Sequence, residues 1–403
     1  MPGTNGFFAR NYLGFVLLIS LILGGGTDQM LWSDHLLQIL MLPLMITGFS
    51  KAGSNKISKT AQIIAAMAVL LIIVQFLPFN MGNNFPKTSD IPTAYNFWSN
   101  SIHRSLQSAI YFLPVLGLVF YIANLDDTEL IGLLRFIFLG FLINLIVAII
   151  WLSYSGRVST DSILPFTITS ALFANENHFA TLCSMMLPIL GWRFLVLKPQ
   201  PIVFILYSLI VTGILFAVGS RAGMAFASVI SILCLIWYIT RNLPLRKKLI
   251  GVIGALLLIG ISSSIFGFHE LWADEKRTTF FATTWIAIKD HWLTGTGLGT
   301  FVQVYPIYEK TTDIFNKFVN HAHSDYLELL LELGVLVVVP IILFYARVLK
   351  ALVTNPVDGI LSLSLLIVLI HSAVDYPLRT YAVAILFSFA TAIIFRRRSK
   401  PLL

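Results

Sequence analysis

Apolar segments about twenty residues long recur along the whole chain, and that recurrence limits the available folds more than any motif does. They lie near 11–26, 31–50, 61–79, 106–124, 131–152, 177–197, 201–219, 222–240, 249–267, 326–348, 359–374 and 380–395. A helix of that length crosses a hydrocarbon layer, and in lipid it satisfies every backbone hydrogen bond internally. None of the segments alternates as the strand of a membrane barrel does. Hydrophobic residues make up 57% of the 403 positions and charged residues only 11%, where a soluble domain carries about a quarter charged residues. The expected fold class is therefore all-α: a polytopic transmembrane helical bundle of about twelve spans, forming one integral membrane domain over residues 1–403. The first segment follows Arg10 but lacks an A-x-A cleavage site and runs into a second span, so it is expected to be a retained helix.

Basic residues orient the bundle. With the N-terminus inside, alternate loops collect Arg10; Lys51, Lys56 and Lys59; Arg193 and Lys198; Arg241, Arg246, Lys247 and Lys248; Arg347 and Lys350; and Arg396, Arg397, Arg398 and Lys400. The other side carries isolated bases such as Arg157, Arg221 and Arg379. Both termini are thus expected in the cytoplasm. The net charge of +8 reflects topology and contact with anionic membrane lipid, so nucleic acid is not an expected partner. Cys183 and Cys234 fall inside apolar segments, where a thiol behaves as a small hydrophobe. No His/Cys spacing suggests a metal site.

Two outward segments are longer than turns. The first, Asn80 to His103, is rich in Asn, Pro and Gly and carries Tyr95, Phe97 and Trp98. The second, 268–325, is the expected large outer loop, with short interfacial helices. In it Phe281, Trp285, Ile288 and Trp292 recur at helical spacing, as in an amphipathic helix lying on the membrane. The Gly295-Thr296-Gly297-Leu298-Gly299 run follows a helix rather than a strand, so it reads as a flexible turn and not as a nucleotide-binding loop.

Polar residues on the outer face are the candidates for function, because an ionisable group at a span end is costly unless paired or solvated. In VNHAHSDYLELLLELG, residues 319–334, His321, His323 and Asp325 precede an apolar helix. Imidazole moves protons near neutral pH; the alternative is a solvated loop with Ser324 or Asp325 capping the helix. Arg221 sits in the tight Gly219–Gly223 turn and offers a fork suited to phosphate. Arg277 follows Asp274 and Glu275, and a surface ion pair is its alternative. Asn177 and His178 stand at a span start, suited to helix capping or to binding sugar hydroxyls. His371, Asp375 and Arg379 gather at one span exit, where an Asp375–Arg379 ion pair is the simpler reading.

In these motifs the chain resembles the O-antigen ligase and polymerase superfamily of bacterial membrane glycosyltransferases. The carrying residues are Gly219–Gly223; Arg277 with Trp285, Asp290 and the glycines to Gly299; and Ala322-His323-Ser324 leading into Glu332-Leu333-Gly334. The motif order covers roughly residues 165–380, while the first five spans match only in hydropathy. Ser324 stands where family members more often have Asn.

The resemblance implies an inverting, metal-independent transfer of a glycan from an undecaprenyl-diphosphate carrier to an acceptor hydroxyl, on the periplasmic face of the bacterial inner membrane. The acceptor would be a growing glycan, for a polymerase, or lipid A-core, for a ligase, and a chain-length regulator would be a natural partner. Arg221 and Arg277 would clamp the diphosphate and His323 would act as base on the acceptor hydroxyl. Asn177, His321, Asp325, His371 and Arg379 would bind substrate, with Asp325 orienting the His323 ring. No cofactor is implied. The alternative of another class is a lipid-linked sugar flippase or transporter, which would distribute polar residues to mid-span with repeat symmetry.

Overall fold

A computed structural model describes residues 4–28, 31–78, 98–153, 164–244, 275–311 and 318–397, apart from the side chains of residues 4–10, 221–222 and 275. The expected span at 249–267, most of the Asn80–His103 segment and parts of the large loop (268–274 and 312–317) lie outside the described residues.

The described chain is helical: α1 (Thr4–Leu23), α2 (Trp32–Ser50), α3 (Lys59–Ile73), α4 (Ile102–Ala123), α5 (Asp127–Ser153), α6 (Glu176–Gly191), α7 (Pro201–Val218), α8 (Arg221–Thr240), α9 (Glu275–His291), α10 (Phe301–Tyr308), α11 (Asp325–Leu333), α12 (Val338–Thr354), α13 (Leu361–His371) and α14 (Tyr381–Phe395). Only two isolated bridges interrupt this pattern, Ile57 with Arg396 and Ser170 with Phe173. Among the described residues, seven helices are long and apolar enough to cross a membrane: Lys59–Phe76, Ile102–Ala123, Asp127–Ser153, Glu176–Leu197, Pro201–Val218, Gly223–Thr240 and Val335–Thr354. Asn11–Leu23, Leu361–His371 and Tyr381–Phe395 are shorter apolar helices. The chain is a multi-pass membrane protein.

Burial divides these helices by role. α6 buries nearly every residue after Asn177, and α14 likewise, so both run through the centre of the bundle. α3, α7 and α12 keep outward rows such as Ile63 and Leu70, Ile202 and Leu209, and Val339 and Ile342, the rows a lipid-facing helix presents. α6 packs on α8 and α13, and α14 packs on α1, α4 and α13. The starts of α6, α8 and α14 and the end of α13 consequently meet at one end of the bundle. At the opposite end Arg396 pairs with Asp127 at 2.6 Å, and Lys56 donates to the carbonyl of Asn124 at 2.8 Å.

Three expectations need correction. The segment at 326–348 is not one span: Gly334, at φ +67°, separates α11 from the span Val335–Thr354. α11 carries Asp325, Glu328 and Glu332, and a helix with three acids is expensive to place in lipid. The Gly295–Gly299 run is not a loose turn. Its glycines take φ of +70°, +114° and +79°, and a Cβ on Gly295 would strike the Glu332 carbonyl. The amides of Thr296 and Gly297 donate to the carbonyls of Leu331 and Glu332, each at 2.9 Å. From the other side Ser105 Oγ donates to the Leu298 carbonyl and Trp98 Nε1 to that of Thr294, both at 3.0 Å. The turn is thus a packed joint between the start of α4 and the end of α11. Finally, the aromatic stripe on α9 is split: Ile288 is buried with Phe280 against α10 and α11, while Trp285 and Trp292 point outward.

Candidate functional site

Asp375, in the loop between α13 and α14, is fully buried, and side chains from four separate parts of the chain converge on it. His178 Nε2 lies 3.6 Å from its carboxylate, His323 Nδ1 3.7 Å, His371 Nε2 3.7 Å and Arg277 Nη2 3.8 Å. Asn177 Nδ2 donates to it at 3.2 Å, and the Tyr376 amide donates at 2.9 Å. The imidazole and guanidinium distances exceed hydrogen-bond length, so these groups surround the acid as charges and dipoles rather than being bonded to it. Burial pushes the Asp375 carboxyl up, but the neighbouring His178 and His323 and the charge of His371 overcome it and hold the group well below the usual carboxylate range. The acid is held ionised.

Local structure explains how each partner arrives. Asn175 caps α6 by accepting from the Asn177 amide, which leaves the Asn177 side chain for Asp375. Thr380 holds the other ring nitrogen of His178 at 2.6 Å, and Thr181 holds that of His371 at 2.6 Å. Arg277, in the first turn of α9, donates to the Val374 carbonyl at 3.2 Å. His323 has a left-handed backbone, φ +52°, which costs a non-glycine residue about 1–3 kcal/mol. Its ring stacks on Phe280 and meets Tyr376 edge-on. The side chain of His323 is 24% exposed, while that of Asp375 is fully enclosed.

A second cluster lies four residues further along the same loop. Arg379 reaches Glu328 at 3.2 Å, Glu332 at 3.5 Å and Asp325 at 3.7 Å. The three acids sit at i, i+3 and i+7 on α11, one face of the helix. Burial pushes Asp325 up to about 7 in spite of Arg379 and the Ser372 hydroxyl. Burial and the Glu328 charge likewise push Glu332 up to about 7 against the pull of Arg379. Glu328 moves the other way: burial opposes the shift, but Arg379, His321 and the Ala322 amide hold it low. The Arg379 guanidinium is itself held firmly charged, because its three carboxylates outweigh burial.

The two histidines of the Val319–Gly334 stretch diverge between these clusters. His321 is buried and donates through Nδ1 to Glu328 at 3.0 Å; His323 faces Asp375. The Tyr376 ring lies between them, 4.3 Å from the His321 ring and 5.0 Å from that of His323.

Other expectations are redistributed. Asp325 does not orient His323: it accepts from Ser372 Oγ at 2.8 Å and from the Leu378 amide at 3.4 Å, and pairs with Arg379. Ser324 is the helix cap. Asp375 and Arg379 do not pair with each other, since each faces a different wall of the loop that carries them. Arg221 opens α8 directly after the Ser220 cap. That helix start lies at the Asp375 end of the bundle, where Gly223 approaches Ala180 of α6 and the Phe226 ring lies tilted 6.1 Å from that of His371.

Asp375 as a centre, Tyr376, Glu328 and Glu332 were not anticipated from the sequence, and His178 was seen only as a capping or sugar-binding group. The acids of α11 did leave a signal, two glutamates four apart inside an apolar run. Among the described residues, no group of three or more His, Cys, Asp or Glu side chains forms a metal site.

No curated protein matches the chain. Residues 206–342 match the family model described as O-antigen ligase. The matched stretch contains Arg221, Arg277, both histidines of the loop and the acids of α11; Asn177, His178, Asp375 and Arg379 lie outside it. Over that third of its length the chain is similar to the O-antigen ligase family.

Proposed function

We propose that this protein is an inverting glycosyltransferase that moves a glycan from undecaprenyl diphosphate to an acceptor hydroxyl, as a ligase or polymerase of surface polysaccharide. It would work at the periplasmic face of the inner membrane, within a bundle of about twelve spans. The observation that carries this reading is the convergence of Arg277, His323, His178, His371 and Asn177 on the buried Asp375, at the end of the bundle where Arg221 begins α8. Lys51, Lys56 and Arg396 lie at the opposite end of the bundle, and Arg347 reaches the Ile394 carbonyl there, which supports an outward-facing site.

The chemistry follows from the charges. The acceptor oxygen attacks the anomeric carbon from the face opposite the diphosphate. The bond to the diphosphate oxygen breaks with its electron pair leaving on the phosphate, and the acceptor proton passes to His323. Arg277 and Arg221 stabilise the charge that grows on the leaving group. Asp375, held ionised behind the His323 ring, favours the imidazolium that forms, in the manner of a carboxylate behind a histidine base. Catalytic hydrogen bonds that are long without substrate tighten in the reacting complex, which suits the 3.7 Å separation.

Transfer rates with a purified lipid-linked donor test the reading. Arg277→Ala and Arg221→Ala proteins that insert normally should lose about a hundredfold or more in turnover. Near-normal transfer by both would remove the diphosphate clamp and the reading with it.

A further inference from the structure

A cavity of about 510 Å³ lies on the far side of His321 from Asp375, between α2, α3, α4, α11 and α12. Most of its wall is apolar, with Ala68, Leu71, Ile72, Leu333, Ile341 and Phe344 among the lining residues. One end is polar, where Asp34, Gln38, His321, Asp325 and Arg379 face it. Its volume falls in the range of small-molecule sites, and its combination of apolar length with a polar end describes an amphiphile.

The polar end also specifies the head of that amphiphile. Asp34 is only 7% exposed, yet its carboxylate has no hydrogen-bond or ion-pair partner among the described residues. Its position in the first turn of α2 gains something from the helix dipole, but that leaves both oxygens without donors. A carboxylate in that condition, opening onto the cavity, takes its donors from whatever fills the space. Next to it Gln38 Nε2 donates to the Tyr381 hydroxyl at 3.0 Å, and Arg379 is already shared among three carboxylates. Asp34 and Asp325 thus stand at this end beside a guanidinium that is already committed. A phosphate head would meet two carboxylates there and an arginine already engaged by three. A head rich in hydroxyl groups would donate to Asp34 and accept from Gln38.

We infer that this cavity binds an amphiphile with an uncharged, hydroxyl-rich head and a hydrocarbon chain, and that it holds the acceptor glycolipid, whereas the diphosphate of the donor stays on the Arg277 side of His321. The assignment to the acceptor rests on the transfer reading above; the binding chemistry does not. His321 and Tyr376 form the wall between the two substrates, so the acceptor hydroxyl would approach His323 past Tyr376.

A photoreactive dodecyl maltoside, applied to the full chain in lipid nanodiscs, tests this. Labelling should map to α3 and α12 near Leu71 and Ile341, and unlabelled dodecyl maltoside should compete for it while dodecyl phosphate should not. Ala68→Trp, which fills the apolar part, should cut labelling about tenfold or more, as should Asp34→Asn at the polar end; Ile341→Trp serves if Ala68→Trp fails to fold. Equal competition by dodecyl phosphate, or unchanged labelling in the folded variants, overturns the inference. Release of undecaprenyl diphosphate to water by Ala68→Trp separates the two readings. Normal release with an acceptor KM raised about tenfold supports the acceptor assignment, and an unchanged KM rejects it. Labelling as expected in a protein that transfers no glycan would instead sink the glycosyltransferase reading and leave the lipid site standing.

Discussion

Asp375 and Arg379 are four positions apart in one loop, yet the first is a lone acid among bases and the second a lone base among acids. The cluster on Arg379 is knit by direct bonds: His321 to Glu328, the Ala322 amide to Glu328 at 3.1 Å, Ser372 to Asp325 and the Phe301 amide to Glu332 at 3.3 Å. The cluster on Asp375 is looser, with its imidazoles and guanidinium held beyond bonding distance and His323 reachable from outside. A network tied to backbone amides and neighbouring side chains at several points fixes backbone positions. A network that keeps donors around one charge without bonding them can offer those donors to a ligand. The difference assigns stability to the first cluster and chemistry to the second.

The largest effect that would break this division is the loss of Arg379. Arg379→Ala strands three carboxylates in the interior, and removing one partner of a buried ion pair typically costs about 3–5 kcal/mol. Little folded protein is expected, measured as yield and as thermal unfolding after extraction. Asp375→Asn should instead fold and lose transfer. A stable Arg379→Ala protein beside an unfolded Asp375→Asn protein would reverse the assignment.

The two histidines sharpen it further. His323→Ala is expected to bind the lipid-linked donor and lose transfer by about a hundredfold. His321→Ala should lose thermal stability, because Glu328 loses its nearest imidazole, with a milder effect on turnover per folded molecule. Donor binding and transfer measured on both proteins decide the matter; a fully active His323→Ala enzyme means that positioning alone suffices.

The smallest effect is on pH dependence. Glu332 is raised from 4.5 to about 7 and Asp325 from 3.8 to about 7. For a carboxyl raised on folding, the folded state binds more protons between the two values. The contribution is therefore full below the unfolded value and is lost as pH rises through about 7. Glu332→Gln, which stays neutral, should flatten the decline in unfolding temperature between about pH 5 and pH 7. An unchanged slope would show that Glu332 does not titrate there.

Much of this was legible in the sequence. Hydropathy marks the helices, because a span must be continuously apolar, and the chemistry of His323, Arg277, Asn177 and His371 stands out against so apolar a background. What escaped is whatever depends on pairing across the chain. Asp375 gathers partners from α6, α9, α13 and the loop before α11, and no spacing rule links positions so far apart. The break at Gly334 escaped because Leu327, Leu329, Leu330 and Leu331 fill the gaps between the acids, so α11 reads as the start of a span. The acids alone argued otherwise, since two glutamates at lipid depth would have needed a base, and Arg379 is that base.

That base is made late. During synthesis α11 emerges before α12 and α13, and Arg379 follows them both, an interval of seconds at ordinary elongation rates. For that interval the nascent chain holds Asp325, Glu328 and Glu332 without their guanidinium, and they must wait protonated or in water at the membrane surface. A polypeptide arrested before residue 379 would never leave that state. The position of one arginine, after α12 and α13, thus sets the earliest point at which this interior can close.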